Sequence, residues 1–472
     1  MQAVRAVATG RPALVFVVRV FRHDPAKREV LGRGRPEGER ARVRGLARPR
    51  RVRRVLMLSW EFPPRIVGGI ARHVDELSRA LARSGVAVDV LTAHHPGAPA
   101  AEGHGALRVL RARPMPVEPM DFVCEIHQLD FGLLERLLAE GEGGYDLIHA
   151  HDWLVAFAAR TLKHGLGIPL VATVHATEAG RNAGLHSPMQ QYIHSVEWLL
   201  AYDAWRVICC SQAMASEVTG ALRVPGDKVR VVPNGVDPAR VACDDSPEAL
   251  RRYRRKWATD GERIVLFVGR LVREKGTEVL VDAIPAVIAA RPEAKFVVAG
   301  GGEHRHLWER AAARGVGHKV VFAGFVPEED LPRLYAAADV AVFPSLYEPF
   351  GIVALEAMAA GVPVVTSDIG GLREVVRHGV TGLHTWANNP HSLAGGIVRV
   401  LSEPRLAKRL RRAGREEVRR RYDWAGIAER TLGVYGEVLG QSGEARVRQE
   451  APVRGPGVRP RYLVAGEVAT RS

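Results

Sequence analysis

The sequence predicts an α/β protein built from two doubly wound, Rossmann-like parallel sheets that face each other across a cleft. Three observations predict it. From Val55 onward, short β-branched or Leu-rich runs alternate with amphipathic segments, those runs form two series, and the glycine- and charge-bearing motifs follow the ends of the runs. In open α/β sheets ligands sit beyond the carboxyl ends of the strands, so motifs placed there belong to a cleft.

The first series of strands is read at 55–59, 86–92, 146–150, 168–174, 206–210 and 229–233. Between the first two, Ile70, Val74, Leu77 and Leu81 share one helical face and Gly85 ends the helix. The second series is read at 264–268, 295–299, 319–323, 339–343 and 362–366. The boundary between them is placed at 234–262, where Asn234-Gly235 makes a turn and Asp244 to Asp260 is polar and charged. These series give a first domain at 55–233 and a second at 263–422, with a helix at 423–440 after them.

Composition limits the function classes. With 472 residues, 47% hydrophobic and 25% charged, the chain has the balance of a globular protein, and no apolar run approaches the ~18 residues of a membrane span. Four cysteines (Cys124, Cys209, Cys210 and Cys243) make neither a disulfide framework nor a Cys-x-x-Cys knuckle, which points to a reduced, cytoplasmic compartment. The net charge of +15 suggests nucleic acid until it is located: residues 1–54 carry a net +12 and residues 441–472 a net +3, so 55–440 is neutral. Both tails read as disordered segments outside the folded body; the leader is either non-native or a tether to an anionic surface.

Four motifs follow strand ends. Gly68-Gly69 opens the first helix, where free amides can meet an anion; taken alone the pair reads rather as a structural turn, and the dinucleotide G-x-G-x-x-G spacing is absent. His149-Ala150-His151-Asp152-Trp153 and His175-Ala176-Thr177-Glu178-Ala179-Gly180-Arg181 follow two further strands. A metal site, core histidines and a sugar-lined cleft are all open readings of these histidines, and the sugar-lined cleft is preferred. Arg270 and Lys275 flank a loop in which a guanidinium fork and a point charge can grip a pyrophosphate; the alternative is a solvated loop. In the last motif, Glu348 and Glu356 stand eight residues apart around Phe350, Gly351 and Ile352, whose amides open a helix. That helix end suits phosphate, while Glu356, a turn inside, suits two vicinal ribose hydroxyls. A glycosidase carboxylate pair is the competing reading of the two glutamates.

Together, these motifs make residues 55–440 resemble the retaining GT-B glycosyltransferases of family 4, and the two histidine motifs resemble those of bacterial glycogen-synthase-like α-1,4-glucan glucosyltransferases. The resemblance implies that the first domain takes the acceptor, the second takes the nucleotide sugar, and the helix at 423–440 crosses back to the first. It implies donor contacts from Gly68, Gly69, Arg270, Lys275, Phe350, Gly351, Ile352 and Glu356, and catalytic positions for His175, Arg270, Lys275 and Glu348. Asp152, Glu178 and Arg181 become acceptor-side candidates. Glycogen synthases of the neighbouring family carry Lys two residues before the paired glycines; Ile66 stands here, which leaves ADP-, UDP- and GDP-hexose all open as donor.

No cofactor and no metal are expected, in agreement with the absence of an Asp-x-Asp sequence. The expected partners are a nucleotide sugar and an oligo- or polysaccharide acceptor, with a mannosyl- or other hexosyltransferase acting on a lipid-linked acceptor as the alternative. Nucleic-acid binding through the leader is the rival from another class, and the neutral body and the lack of interleaved aromatics weigh against it. Arg405 to Arg421 is basic, and reads either as a solvated helix on the second domain or as a peripheral contact with the inner face of a membrane.

Overall fold

The structure is a computed structural model that describes residues 51–450 other than Glu142, with side chains through Gly443. The leader reading falls almost wholly outside the described residues; of the tail read as disordered at 441–472, residues 441–450 instead continue the helix expected to end at 440, and the rest lie outside the described residues.

The first sheet contains β1 (Arg54–Ser59), β2 (Ala87–Ala93), β3 (Ala101–His104), β4 (Leu107–Ala112), β5 (Leu147–His151), β6 (Leu170–Val174), β7 (Arg206–Cys209) and β8 (Val229–Val231). Its order is β3-β4-β2-β1-β5-β6-β7-β8, parallel except for the β3–β4 pair. The second sheet contains β9 (Arg263–Val268), β10 (Ala294–Ala299), β11 (Val320–Gly324), β12 (Val340–Phe343), β13 (Val364–Ser367) and β14 (Leu383–Thr385), in the order β11-β10-β9-β12-β13-β14, and its pairs are all parallel. Strand order reverses between β1 and β5 in one sheet and between β9 and β12 in the other. These reversals open the crevices where doubly wound sheets bind ligands, and the glycine, first histidine, cationic and Glu-x7-Glu motifs follow these four strands.

The chain passes between the two sheets at Asn234–Asp237 and returns at Tyr422–Asp423. The two passages touch, with Val236 N donating to Tyr422 O at 3.0 Å. After the return, the helix Trp424–Glu450 lays Trp424, Ile427, Ala428, Tyr435 and Val438 into the apolar layer under β1, beside Val74 and Leu77. His149 lies beneath it, its ring nitrogens 2.7 Å from Tyr435 OH and Thr173 Oγ1.

Three readings of the sequence need correction. The segment 234–262 is not a free linker: the helix Pro247–Arg254 buries Tyr253 and packs on the second domain, and Arg254 pairs with Asp339 there at 2.8 Å. The leader boundary at 54 comes too late, because Val52 is buried in the first core and Arg54 opens β1 with an ion pair to Asp89 at 2.7 Å. Strands β3, β4 and β14 were not foreseen. The basic helix, Pro404–Arg421, buries Leu406, Leu410 and Val418 on the second domain, while Arg415 caps Ala360 O at 2.7 Å. No helix among the described residues is long and apolar enough to cross a membrane.

A chain started at Arg51 should therefore be more stable than one started at Val55. The shorter one loses the buried Val52 side chain, worth about 1.5–3 kcal/mol, and the Arg54–Asp89 pair. Paired denaturant titrations test this; equal midpoints would show that Val52 contributes nothing to the core.

Candidate active site

The cationic loop and the Glu-x7-Glu loop are tied together by backbone. After β9 the chain makes a short turn at Arg273–Lys275, and the Glu274 carbonyl accepts from Leu346 N at 2.7 Å and Tyr347 N at 3.2 Å, both beyond β12. Gly276 follows at φ 67°, and a Cβ there would lie 1.9 Å from Pro344 O, so only glycine lets the two loops close up. This junction sets Lys275 Nζ 2.7 Å from Glu348 Oε2, with Ser345 Oγ at 3.3 Å from the same oxygen. Arg270, about half exposed, turns back to Glu274 at 2.8 Å.

The helix Ile352–Ala360 begins after Gly351, whose φ of 103° and whose closeness to Leu372 exclude a side chain. The amides of Ile352 and Val353 lie in its first turn, ahead of the helix's own hydrogen-bond ladder. Phe350 is buried, and Pro349 O accepts from Ser211 Oγ of the first domain at 2.6 Å.

Opposite stands the helix Gly69–Arg83, and its Gly69, Arg72 and Glu76 share one face. Gly69 comes so close that a Cβ would meet Ile352 Cδ1 at 3.0 Å. Arg72 forms a salt bridge with Glu356, and the other oxygen of Glu356 accepts from Tyr335 OH at 2.9 Å. Glu76 pairs with Arg240, which also holds Glu328 of the second domain. Neither Arg72 nor Tyr335 was singled out from the sequence, although Arg72 stands one turn after Gly69, on the face that the glycine brings to the cleft. The expectation of free amides at the glycine pair needs refinement: Val67 N and Gly68 N donate to Glu61 Oε2 at 2.6 and 2.9 Å, and the buried Glu61 carboxyl is held above its usual range by burial. Only the amides from Gly69 onward remain for a ligand.

The first domain supplies the other wall. Asp152 holds a left-handed φ of 60°, unusual for a non-glycine residue, and its Oδ1 accepts from His175 N at 2.7 Å. Burial pushes its carboxyl up to about 6. Asp152 thus fixes the backbone of the second histidine motif rather than presenting a free carboxylate. His175 is half-buried, stands 3.1 Å from His151, and is held by burial down to about 3, so it is neutral. Glu178 opens a short helix capped by Thr177 and accepts from Asn182 Nδ2 at 2.9 Å; Arg181 is exposed. Tyr347 OH reaches across from the second domain to Glu217 at 2.9 Å and to Thr177 N at 3.3 Å. Of the first histidine motif, His149 is taken into the core, whereas His151 joins His175 and the unforeseen His73.

Between the walls, beside Arg72, Arg240, Ile352 and Glu356, lies a cavity of about 40 Å3, against the roughly 300–1,000 Å3 of clefts that hold a sizeable ligand. A ligand of that size does not fit this cavity as it stands.

Residues 67–240 match the family model "Glycosyltransferase Family 4" and residues 251–417 match "Glycosyl transferases group 1". A glycogen synthase of Mycobacterium tuberculosis is 36% identical over 85% of this chain and 98% of its own length. The chain belongs to the GT-B glycosyltransferases of family 4. An uncharacterized glycosyltransferase of Methanocaldococcus jannaschii is 41% identical over 81% of this chain and 97% of its own length. Among solved structures, the sucrose-phosphate synthase of Thermosynechococcus elongatus superposes with a TM-score of 0.72 at 28% identity, covering 82% of this chain and all of that one. As a member of this family, the protein is a hexosyltransferase that uses a nucleotide sugar.

One buried carboxyl behind the wall makes stability depend on pH. Glu197 Oε1 accepts from Glu178 N at 2.7 Å, and burial pushes its carboxyl from 4.5 up to about 8. Between those values the folded chain holds a proton that the unfolded chain has released, so stability is greatest below the window and falls as pH rises through it. Glu197→Gln should match wild type in stability near pH 5 and exceed it near pH 9 by roughly 1–3 kcal/mol, read as a higher melting temperature there. Parallel melting-versus-pH curves for the two proteins would show that Glu197 does not titrate there.

Proposed function

We propose that the protein is a retaining α-glucosyltransferase that extends an α-1,4-glucan or maltooligosaccharide from a nucleoside diphosphate glucose, without a catalytic metal or cofactor. The observation that carries the glucan reading is the likeness to glycogen synthase along nearly that protein's whole length. The donor geometry is supported by the convergence of Arg270, Lys275, Glu348 and the Ile352 helix end opposite Gly69.

In this reading Glu356 exchanges Arg72 for the ribose diol, while Arg270 and Lys275 turn from Glu274 and Glu348 to the diphosphate. The amides of Gly69, Ile352 and Val353 share its charge. Glu348, relieved of Lys275, faces the transferred sugar, and neutral His175 donates or accepts a hydrogen bond near its anomeric carbon. The bond from that carbon to the phosphate oxygen breaks as the acceptor oxygen bonds on the same face, and the acceptor proton passes to the departing phosphate. Asp152 holds the His175 loop, and Glu178 and Arg181 line the acceptor side. Preorganised charge at the leaving diphosphate then supplies most of the acceleration. Work at the cytoplasmic face, free or peripherally bound to membrane through basic surface, accords with this chemistry.

The test is a panel of ADP-, UDP- and GDP-hexoses with maltooligosaccharide as acceptor, alongside a small phosphorylated sugar. Glucan elongation with an α-anomeric product is expected. Transfer only to the phosphorylated sugar, or an inverted product, would overturn the proposal.

Glu356→Ala should mainly raise the donor KM, since two hydroxyl hydrogen bonds to a carboxylate are worth roughly 1.5–3 kcal/mol each; an unchanged KM removes Glu356 from the ribose. Arg270→Ala and Lys275→Ala should instead each lower kcat on the order of 10²-fold. Turnover at the wild-type rate in either would remove the cation clamp, and activity should survive EDTA.

A further inference from the structure

Three histidines from separate segments meet at the base of the cleft. His73 lies on the helix Gly69–Arg83, His151 ends β5, and His175 follows β6. One ligand nitrogen from each falls within 4.8 Å of the others. His151 Nδ1 and His175 Nε2 are 3.1 Å apart, close to the separation of about 3.3 Å between two nitrogens bound tetrahedrally to one zinc-sized ion. The His73 ring centroid is 4.8 Å from that of His175 and 5.4 Å from that of His151, so the third ring borders the same point.

A second, independent observation concerns the hydrogen bonds these rings lack. His73 is 4% exposed and His151 wholly buried; Nε2 of His151 has no partner among the described residues, and His73, which faces the Asn234 side chain, makes no close hydrogen bond through either nitrogen. Buried polar atoms are nearly always satisfied, and a set that is not calls for an ion or water. His149, although its ring lies beside His151, spends both nitrogens on Tyr435 and Thr173 and is no candidate ligand. Burial lowers all three histidines of the cluster, which keeps their lone pairs unprotonated at neutral pH. The grouping holds no carboxylate, and an all-imidazole set favours Zn2+, Co2+, Ni2+ or Cu2+ over Mg2+ and Ca2+.

We propose that His73, His151 and His175 bind a divalent transition ion of the zinc class, and that an ion held there blocks the sugar end of the donor site. His175, the least buried of the three, gives the ion its route from the cleft. The blocking half rests on the placement of His175 beside the donor sugar; the ion-binding half does not.

The whole chain, stripped with chelator, is titrated with Co2+ and followed by visible absorption. Expected are one equivalent bound, the intense bands of a tetrahedral nitrogen site, displacement by Zn2+ and none by Mg2+. Because loss of an outer-shell partner already costs about 10–100-fold in metal affinity, His73→Ala and His151→Ala should each weaken binding by about 100-fold or more. His73→Phe keeps the ring volume should the alanine variant fold poorly, and melting curves verify the fold.

A weak octahedral spectrum, or undiminished binding in His73→Phe, overturns the site and assigns the ion to surface histidines. In kinetics, Zn2+ should compete with the nucleotide sugar and EDTA should relieve the inhibition. Binding at the three histidines without inhibition overturns the blocking half alone. Failure of the glycosyl-transfer reading would appear separately, as no turnover of any nucleotide sugar in metal-free buffer.

Discussion

In the cleft each principal charge is balanced by another charge of the protein. Arg72 neutralises Glu356, Lys275 neutralises Glu348, and Arg270 neutralises Glu274. At Glu356 and Glu348, whose carboxylates are buried, removing one member leaves the other charge stranded in a poor solvent, at a cost of several kcal/mol. On the proposed reading a nucleoside diphosphate sugar would not strand them: its anionic phosphates would replace the carboxylates that the two cations leave, and its ribose hydroxyls the guanidinium that Glu356 leaves.

The motifs sit where strand order reverses. At β1/β5 and β9/β12 the connections leave in opposite directions, so loops can approach without a helix covering them. Glycine then sets the distance. At Gly276 it lets two loops of the second domain share one carbonyl, and at Gly69 it lets the domains nearly touch. The carboxylates and cations are placed by backbone proximity, and side-chain length supplies the remaining reach.

Much of this was legible in the sequence, for reasons specific to each element. Strands such as Ile264 to Val268 are buried on both faces and read as unbroken apolar runs. Strand β4 was missed because Arg108 and Arg111 interrupt its run; Arg111 is nonetheless 1% exposed, its two terminal nitrogens bonded to Glu102 and two carbonyls, an arrangement no local pattern discloses. Strand β3 is short and mostly exposed, and β14 has three residues. Lys275 and Glu348 were both picked out from the sequence, but their contact depends on a junction across 73 positions. His73 carried a signal that went unread: it falls in the stripe of Ile70, Val74 and Leu77, where a core position would be apolar. Arg72 carried only its place one turn after Gly69, and Tyr335 carried none; their common partner, Glu356, is fixed by tertiary packing.

The two chain passages between the domains lie side by side, bonded from Val236 to Tyr422, and Gly235 is pressed so closely on Trp424 and Ile427 that a methyl group there would sit within 2.9 Å of both. Two separate tethers would let the domains slide and twist; two fused ones leave mainly rotation about a single hinge. Gly235 and Trp424 line the same small cavity as Arg72 and Glu356, so Glu356 lies close to that axis. On the proposed donor reading, the nucleotide end would stay held near the pivot while the far walls swing.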